Sequence, residues 1–299
     1  LGNRITSNIN HGQSSRYRNG SGGFAAKNIT PSAAGASSVY AADVNGDTFI
    51  DILSASADND TIALYLSDGN MATPATPGAF PTFSSTVITG LAVGASSVYA
   101  ADIDGDADMD VISTSADDDT VSWYENNSLV WTKHDIDIAA DGAIDVMAGD
   151  INGDGDIDII AASELDNTVA WYENDGSENF TKQIISSAIL RPTSIDVRDI
   201  EGDLDLDVFV SGAENGVISW FENNAGTLLT AVTLSPNAYG ATDVHIADID
   251  GDTNLDVVSA SSDDDKIAWY QNDGVENFAR GRSVPSNQLY WRARLGSDY

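Results

Sequence analysis

The chain has 299 residues, 42% of them hydrophobic, a formal charge of −34 and no cysteine. That charge argues against nucleic acid, whose phosphates need a basic surface, and the lack of cysteine excludes disulfides and thiol chemistry. No apolar run approaches the ~18 residues of a membrane span, and the length suits two ordinary domains or one large repeat domain.

In chain order, the first stretch is GNRITSNINHGQSSRYRNGSGGFAAKNI. It aligns with LDVVSASSDDDKIAWYQNDGVENFARGRS near the other end, placing Ile5 on Val258, Tyr17 on Tyr270 and Asn19 on Asn272. It therefore predicts strands two to four of a sheet whose first strand lies elsewhere. Complete units follow. In each, a strand such as SSVYAAD runs into an acidic loop, then a second strand such as DVISTSA. An acidic turn leads to a third strand, TVSWYEN, and a shorter polar fourth, WTKHDID or NFTKQII. β-branched and aromatic residues dominate these runs, with Asn, Asp and Gly between them, and no helical period is sustained.

The acidic loop recurs as ADVNGDTFIDILSAS, ADIDGDADMDVISTS, GDINGDGDIDIIAAS, RDIEGDLDLDVFVSG and ADIDGDTNLDVVSAS. The first aspartates, Asp43, Asp102, Asp150, Asp199 and Asp248, are spaced by 59, 48, 49 and 49 residues. A 49-residue period suits a four-stranded propeller blade. The longer first spacing holds the insertion NMATPATPGAFPTFSS, with the Ser/Thr/Pro bias of a flexible or O-glycosylated loop. The last stretch, LYWRARLGSDY, aligns with VHIADIDGDT, a first strand and its loop. Residues 286–299 and 1–30 together make one more blade, split one strand plus three. The expectation is an all-β, six-bladed β-propeller in a single domain, 1–299, closed by a C-terminal strand plus three N-terminal strands. Such closure removes free sheet edges. Excision from a longer tandem array, or exchange of end strands between chains into a polymer, stays open.

The loop pattern is D-x-[D/N/E]-G-D-x-x-x-D. Side chains at positions one, three, five and nine, with a carbonyl at seven, form an oxygen cage when the backbone curls, as in an EF-hand loop. The candidate ligands are Asp43, Asn45, Asp47 and Asp51; Asp102, Asp104, Asp106 and Asp110; Asp150, Asn152, Asp154 and Asp158; Asp199, Glu201, Asp203 and Asp207; and Asp248, Asp250, Asp252 and Asp256. Hard oxygen donors, flexible geometry and no His or Cys favour Ca2+ over zinc or copper, and reluctant dehydration disfavours Mg2+. Five Ca2+ sites are expected. The longer Glu201 is expected to crowd its cage. No metal is expected in the sixth loop, where Arg294 replaces the first aspartate.

These loops resemble the FG-GAP/VCBS repeats of bacterial surface proteins, related in loop plan to the integrin α propeller. The resemblance implies a β-propeller with calcium at the turns between first and second strands. It implies little about function, since such propellers serve as adhesins, lectins, enzyme accessory modules and scaffolds.

Third strands carry aromatic pairs, Trp123-Tyr124, Trp171-Tyr172, Trp220-Phe221 and Trp269-Tyr270, read as inter-blade packing with sugar stacking as the alternative. The turns ADNDT, ADDDT, ELDNT and SDDDK read as solvated, the sharper alternatives being a second cation site or a docking surface. Eight of the 13 Lys and Arg lie in residues 1–30 and 279–299 against one carboxylate, Asp298, so the closing blade carries +7 and the remainder −41. Complementary sectors on one disc favour head-to-tail contact between copies, which forms open filaments when the rotation does not close. His11, His134 and His245 sit in unrelated contexts and no G-x-S-x-G elbow occurs, so catalysis is not expected. The chain opens on Leu1 rather than Met, which reads as a processed product. The expectation is a non-catalytic, calcium-stabilised extracellular or cell-surface module for adhesion or assembly. Its partners would be copies of itself or another surface protein, without nucleic acid or a membrane span. A glycan-binding lectin and a polysaccharide-active enzyme are the alternatives.

Overall fold

The computed structural model describes residues 16–18, 24–26, 28–69, 81–228, 231–274, 278–279 and 284–285. Among them there is no α-helix, and the regular structure is antiparallel sheet apart from one 3-10 turn, Ala57–Asn59. The first sheet comprises Ala36–Ala42, Asp51–Ser56, Thr61–Ser67 and Phe83–Thr89. The second comprises Ala95–Ala101, Asp110–Ser115, Thr120–Asn127 and Val130–Asp137. The third comprises Ala143–Gly149, Asp158–Ser163, Thr168–Asn174 and Phe180–Ser186.

The fourth sheet comprises Pro192–Arg198, Asp207–Gly212, Val217–Phe221 and Val232–Ser235, extended by the Asn223–Asn224 and Thr227–Leu228 pair. The fifth comprises Ala241–Ala247, Asp256–Ser261 and Lys266–Asn272, with an outer strand in two pieces, Phe278–Ala279 and Val284–Pro285. A further pair, Arg16–Arg18 with Phe24–Ala26, forms a two-stranded sheet of its own within the stretch expected to hold strands two to four. The rest of the expected closing blade, the Arg294 loop and most of the insertion lie outside the described residues.

The first strands of successive sheets pack side by side, which sets the sheets around a common axis as blades of a β-propeller. Each first strand carries a register shift at the same place, Ala36/Ser38, Ala95/Ser97, Ala143/Asp145, Pro192/Ser194 and Ala241/Asp243. A bulge there increases the local twist, so the repeat of the shift repeats the curvature of every blade. The second strands Asp110–Ser115, Asp158–Ser163 and Asp207–Gly212 are buried at all six positions. Their sequences do not alternate because a neighbouring blade covers each face.

The core lies between blades. Adjacent residues of a strand point to opposite faces, and in the second, third and fourth blades both members of the third-strand pair are used. Trp123 packs with Tyr172 of the next blade, Trp171 with Phe221 and Trp220 with Tyr270. Leu64 takes the tryptophan's place against Tyr124. Those three tryptophans are 1–5% exposed, so packing accounts for their rings.

The acidic turns between second and third strands tie blades together. Asp60, Asp119 and Asn167 adopt positive φ of 56°, 59° and 60°. Their side-chain Oδ1 atoms accept the backbone N–H of Gly94 (3.1 Å), Gly142 (2.9 Å) and Arg191 (2.8 Å), at the start of the next blade. The carbonyls of Asp60 and Asp119 accept Ala92 and Ala140 N–H at 3.1 and 2.9 Å. In the fourth blade Gly216 (φ 65°) keeps only the carbonyl half of this latch, accepting Ala238 N–H at 2.7 Å. Asx side chains suit the position because they tolerate the left-handed region and offer an acceptor. The turns are thus inter-blade latches.

Two buried carboxylates do the same work near the axis. Asp145 accepts Ser97 Oγ at 2.9 Å and Ile195 N–H of the next blade at 2.9 Å. Asp196 accepts Ile246 N–H of the next blade and faces His245 Nδ1, each at 3.0 Å.

Replacing Asp119 by Ala strands Gly142 N–H and should lower unfolding free energy by about 1 kcal/mol in urea denaturation. Asp119→Asn keeps the acceptor, as Asn167 does in the next blade, and should restore most of the loss.

Candidate metal centres

Each acidic loop joins a first strand to a second on one side of the propeller, and the structure gives each position its own job. Position-four glycines Gly46, Gly105, Gly153, Gly202 and Gly251 have φ of 72–81°, with nothing within 4 Å of where a Cβ would sit. Glycine is needed there for the backbone conformation, not for space. Position six is also left-handed, at Thr48, Ala107, Gly155, Leu204 and Thr253. These two kinks fold the loop over its first residue. Oδ2 of Asp43, Asp102, Asp150, Asp199 and Asp248 accepts the position-six N–H at 2.8–3.1 Å.

Position-five Asp47, Asp106, Asp154, Asp203 and Asp252 accept the position-seven N–H at 2.8–3.0 Å. At position three, Asn45, Asp104, Asn152 and Asp250 accept the position-five N–H at 3.0–3.2 Å. The amide nitrogens of Asn45 and Asn152 also donate to Asp47 and Asp154, at 3.1 and 2.8 Å.

Position nine is the deepest. Asp51, Asp110, Asp158, Asp207 and Asp256 are 0–1% exposed. Each accepts the position-two N–H on Oδ2, from Val44, Ile103, Ile151, Ile200 or Ile249, at 3.0–3.2 Å. On Oδ1 each accepts a third-strand N–H, from Ser67, Asn126, Asn174, Asn223 or Asn272, at 2.7–2.8 Å. The asparagine side chains carry the connection onward. Nδ2 of Asn126, Asn174 and Asn223 reaches the position-two carbonyl of the preceding blade, Val44, Ile103 and Ile151, at 3.3, 3.1 and 2.7 Å. It also reaches its own blade's Met109, Ile157 or Leu206 carbonyl at 3.0–3.2 Å. One loop is thereby wired to the next. Sequence reasoning missed these asparagines, although all four stand 16 residues after position nine. Asn126 also begins a glycosylation sequon, but it is 2% exposed and committed to these bonds.

Three loops gather carboxylate oxygens within 4.8 Å of one another, at Asp102, Asp104 and Asp110; Asp199, Glu201 and Asp203; and Asp248, Asp250 and Asp256. In the second and fifth blades the position-five Asp106 and Asp252 stand outside that trio, and in the fourth Asp207 does. The first and third loops have Asn at position three and so offer one carboxylate fewer.

Glu201 enters its cluster, and one of its oxygens, Oε2, is buried without a hydrogen bond. Burial, and then the neighbouring Asp207 carboxylate, hold its carboxyl well above the usual carboxylate range. Burial also pushes Asp110 and Asp158 up to about 6, against the pull of the two N–H groups each accepts. The indole N–H of Trp123 favours ionised Asp110, and that of Trp171 favours ionised Asp158, though neither closes a hydrogen bond. Crowded, buried carboxylates that hold protons above their usual range, with an orphaned oxygen among them, fit a divalent cation.

The FG-GAP-like repeat pattern matches residues 43–113, 102–161, 150–210 and 199–259. No curated protein sequence matches the chain. Among solved structures, a lectin from Agrocybe aegerita that recognises non-reducing terminal N-acetylglucosamine is similar at TM-score 0.60 and 17% identity, covering 91% of this chain and 74% of that one. A putative 6-phosphogluconolactonase from Bacteroides uniformis is similar at TM-score 0.52 and 15% identity, covering 83% and 69%. A Lactobacillus plantarum protein is similar at TM-score 0.52 and 15% identity, covering 78% and 67%. At these identities the likeness is one of fold.

The raised carboxyls set the pH response of metal-free protein. Asp110 and Asp158 hold their protons more tightly folded than unfolded, so their contribution is full below about 4 and lost as pH rises through about 6. Metal-stripped protein should therefore melt at a higher temperature at pH 5 than at pH 7.5, measured by calorimetry.

Proposed function

The chain belongs to the FG-GAP-like repeat family, and on that premise we propose that it is a calcium-stabilised, non-catalytic propeller serving adhesion or assembly outside the cell. The observation that carries the calcium reading is the convergence of carboxylate oxygens within 4.8 Å in three equivalent loops. The ligands are the side chains at positions one, three, five and nine of all five loops, with Asn45 and Asn152 turning their carbonyl oxygens inward. When bound, Ca2+ supplies the positive charge that lets these carboxylates stay ionised together. Abundant extracellular calcium keeps such sites filled, which favours an outside location. Among the described residues no helix is long and apolar enough to cross a membrane.

The propeller is proposed to hold six blades. Support comes from the leading face of the fifth, where Ile267 is 42% exposed while its counterparts Ile62, Val121, Val169 and Ile218 are 0% exposed. An apolar face of this kind calls for another blade, and the strand patterns of 1–30 and 286–299 supply one. The +7 of residues 1–30 and 279–299 against −41 elsewhere supports electrostatic association between copies. Glycan binding is the second reading, favoured by a cleft between the fourth and fifth blades.

Calcium at 100 times its dissociation constant should add about 2.7 kcal/mol per site, so chelation should lower the melting temperature by many degrees. Trp123 and Trp171, beside Asp110 and Asp158, should report the same titration by fluorescence. In sedimentation, association should weaken as salt rises. A monomer at every ionic strength would reject self-assembly while leaving the calcium reading intact.

A further inference from the structure

Between the fourth and fifth blades lies a cavity of about 180 Å3. Its origin is visible by comparison with the cleft two blades earlier. There, Asp137 of the second blade's outer strand accepts Tyr172 Oη of the third blade at 2.8 Å and Lys182 Nζ at 2.7 Å, filling the gap. Asp137 pairs with Val121, and its counterpart Ser235 pairs with Ile218 at the same strand position. Tyr270 is the counterpart of Tyr172. The shorter Ser235 leaves space in front of Tyr270, whose hydroxyl is bonded to Ser259 at 3.3 Å instead. Asp137 is the exception at this position, where the other outer strands carry Thr89, Ser186 and Ser235, so the plug rather than the open space departs from the repeat.

The lining has a definite chemistry. Asp264 accepts Lys266 Nζ at 2.6 Å and Ser261 Oγ at 2.5 Å at the rim. Ser235 and Asn237 add a hydroxyl and an amide, and Ala268 and the Tyr270 ring give apolar wall. Asp264 and Lys266 compensate each other, so an ion of either sign meets one repulsive neighbour. Paired acceptors and donors beside apolar surface suit vicinal hydroxyls on a ring with C–H faces. The volume is below the ~300 Å3 at which drug-sized pockets begin, so one ring fits and a chain does not.

We propose that this cleft binds a single neutral sugar ring, with Asp264 and Lys266 holding adjacent hydroxyls and Tyr270 and Ala268 lying against its apolar face. The proposal deepens the glycan reading and rests on it, and it is independent of the calcium loops. A ligand of this size held by ordinary contacts should bind with a dissociation constant on the order of 1 mM.

The test uses the 299-residue chain in calcium and the methyl glycosides of glucose, galactose, mannose and N-acetylglucosamine, followed by saturation-transfer NMR and calorimetry. At least one should bind, with its ring protons saturated. Ser235→Asp rebuilds the plug of the earlier cleft and should weaken binding at least tenfold, as should Lys266→Ala. Calcium-dependent tryptophan fluorescence should be unchanged in both, showing that the fold is intact. Binding that persists in both variants would overturn the cleft while leaving glycan recognition elsewhere standing. Absence of binding of every glycoside to the unmodified chain, tenfold above the expected constant, would overturn both.

Discussion

The structure depends on one arrangement, a buried aspartate at the ninth position of each loop holding two backbone N–H groups, one from the loop and one from the third-strand side of the blade. Asp158 shows it in full. One oxygen holds Ile151 N–H in the loop and the other Asn174 N–H in the third strand. The carboxylate is fully buried, so both bonds form away from solvent, where leaving either donor unpaired would be costly. Its equivalents Asp110 and Asp256 also lie within 4.8 Å of two other loop carboxylates, so one side chain braces the hairpin and faces the candidate cation site. A cation held there would be coupled to the stability of the fold through that dual position.

The arrangement extends around the propeller because every blade hands a polar group to the next. Asn174 reaches back to Ile103, Asp119 reaches forward to Gly142, and Asp145 bonds Ile195 near the axis. These contacts lie on the loop side, the turn side and the hub. Between them sits the apolar layer of Trp123 with Tyr172 and its equivalents. Apolar packing supplies most of the burial. The polar contacts have directional geometry and fix how far each blade is rotated from its neighbour, which packing alone fixes less sharply.

The loops were legible in the sequence because period and chemistry coincide: five sets of crowded carboxylates in register repel internally unless a cation sits among them. The four-strand meander was legible because its strand and turn signals recur with the same period. The latches were not, because Asp60 or Asp119 in a left-handed turn has the same composition as a solvated acidic turn, and only the neighbouring blade distinguishes them. Asp145 and Asp196 were hidden in apolar first strands, AIDVMAG and PTSIDVR, where a lone acid gives no sign of its partner. The asparagines closing WYEN, WYEN, WFEN and WYQN stood in plain view, but the value of the first three lies in contacts 71 to 82 residues distant. The length of Glu201 suggests a crowded cage, whereas the structure folds it into the cluster with one oxygen unpartnered.

The most direct measurement is anomalous-difference density from crystals grown in calcium. The account predicts a peak in each of the five loops, next to the position-nine aspartates Asp51, Asp110, Asp158, Asp207 and Asp256. Loops that hold this geometry in saturating calcium without density between their carboxylates would contradict it.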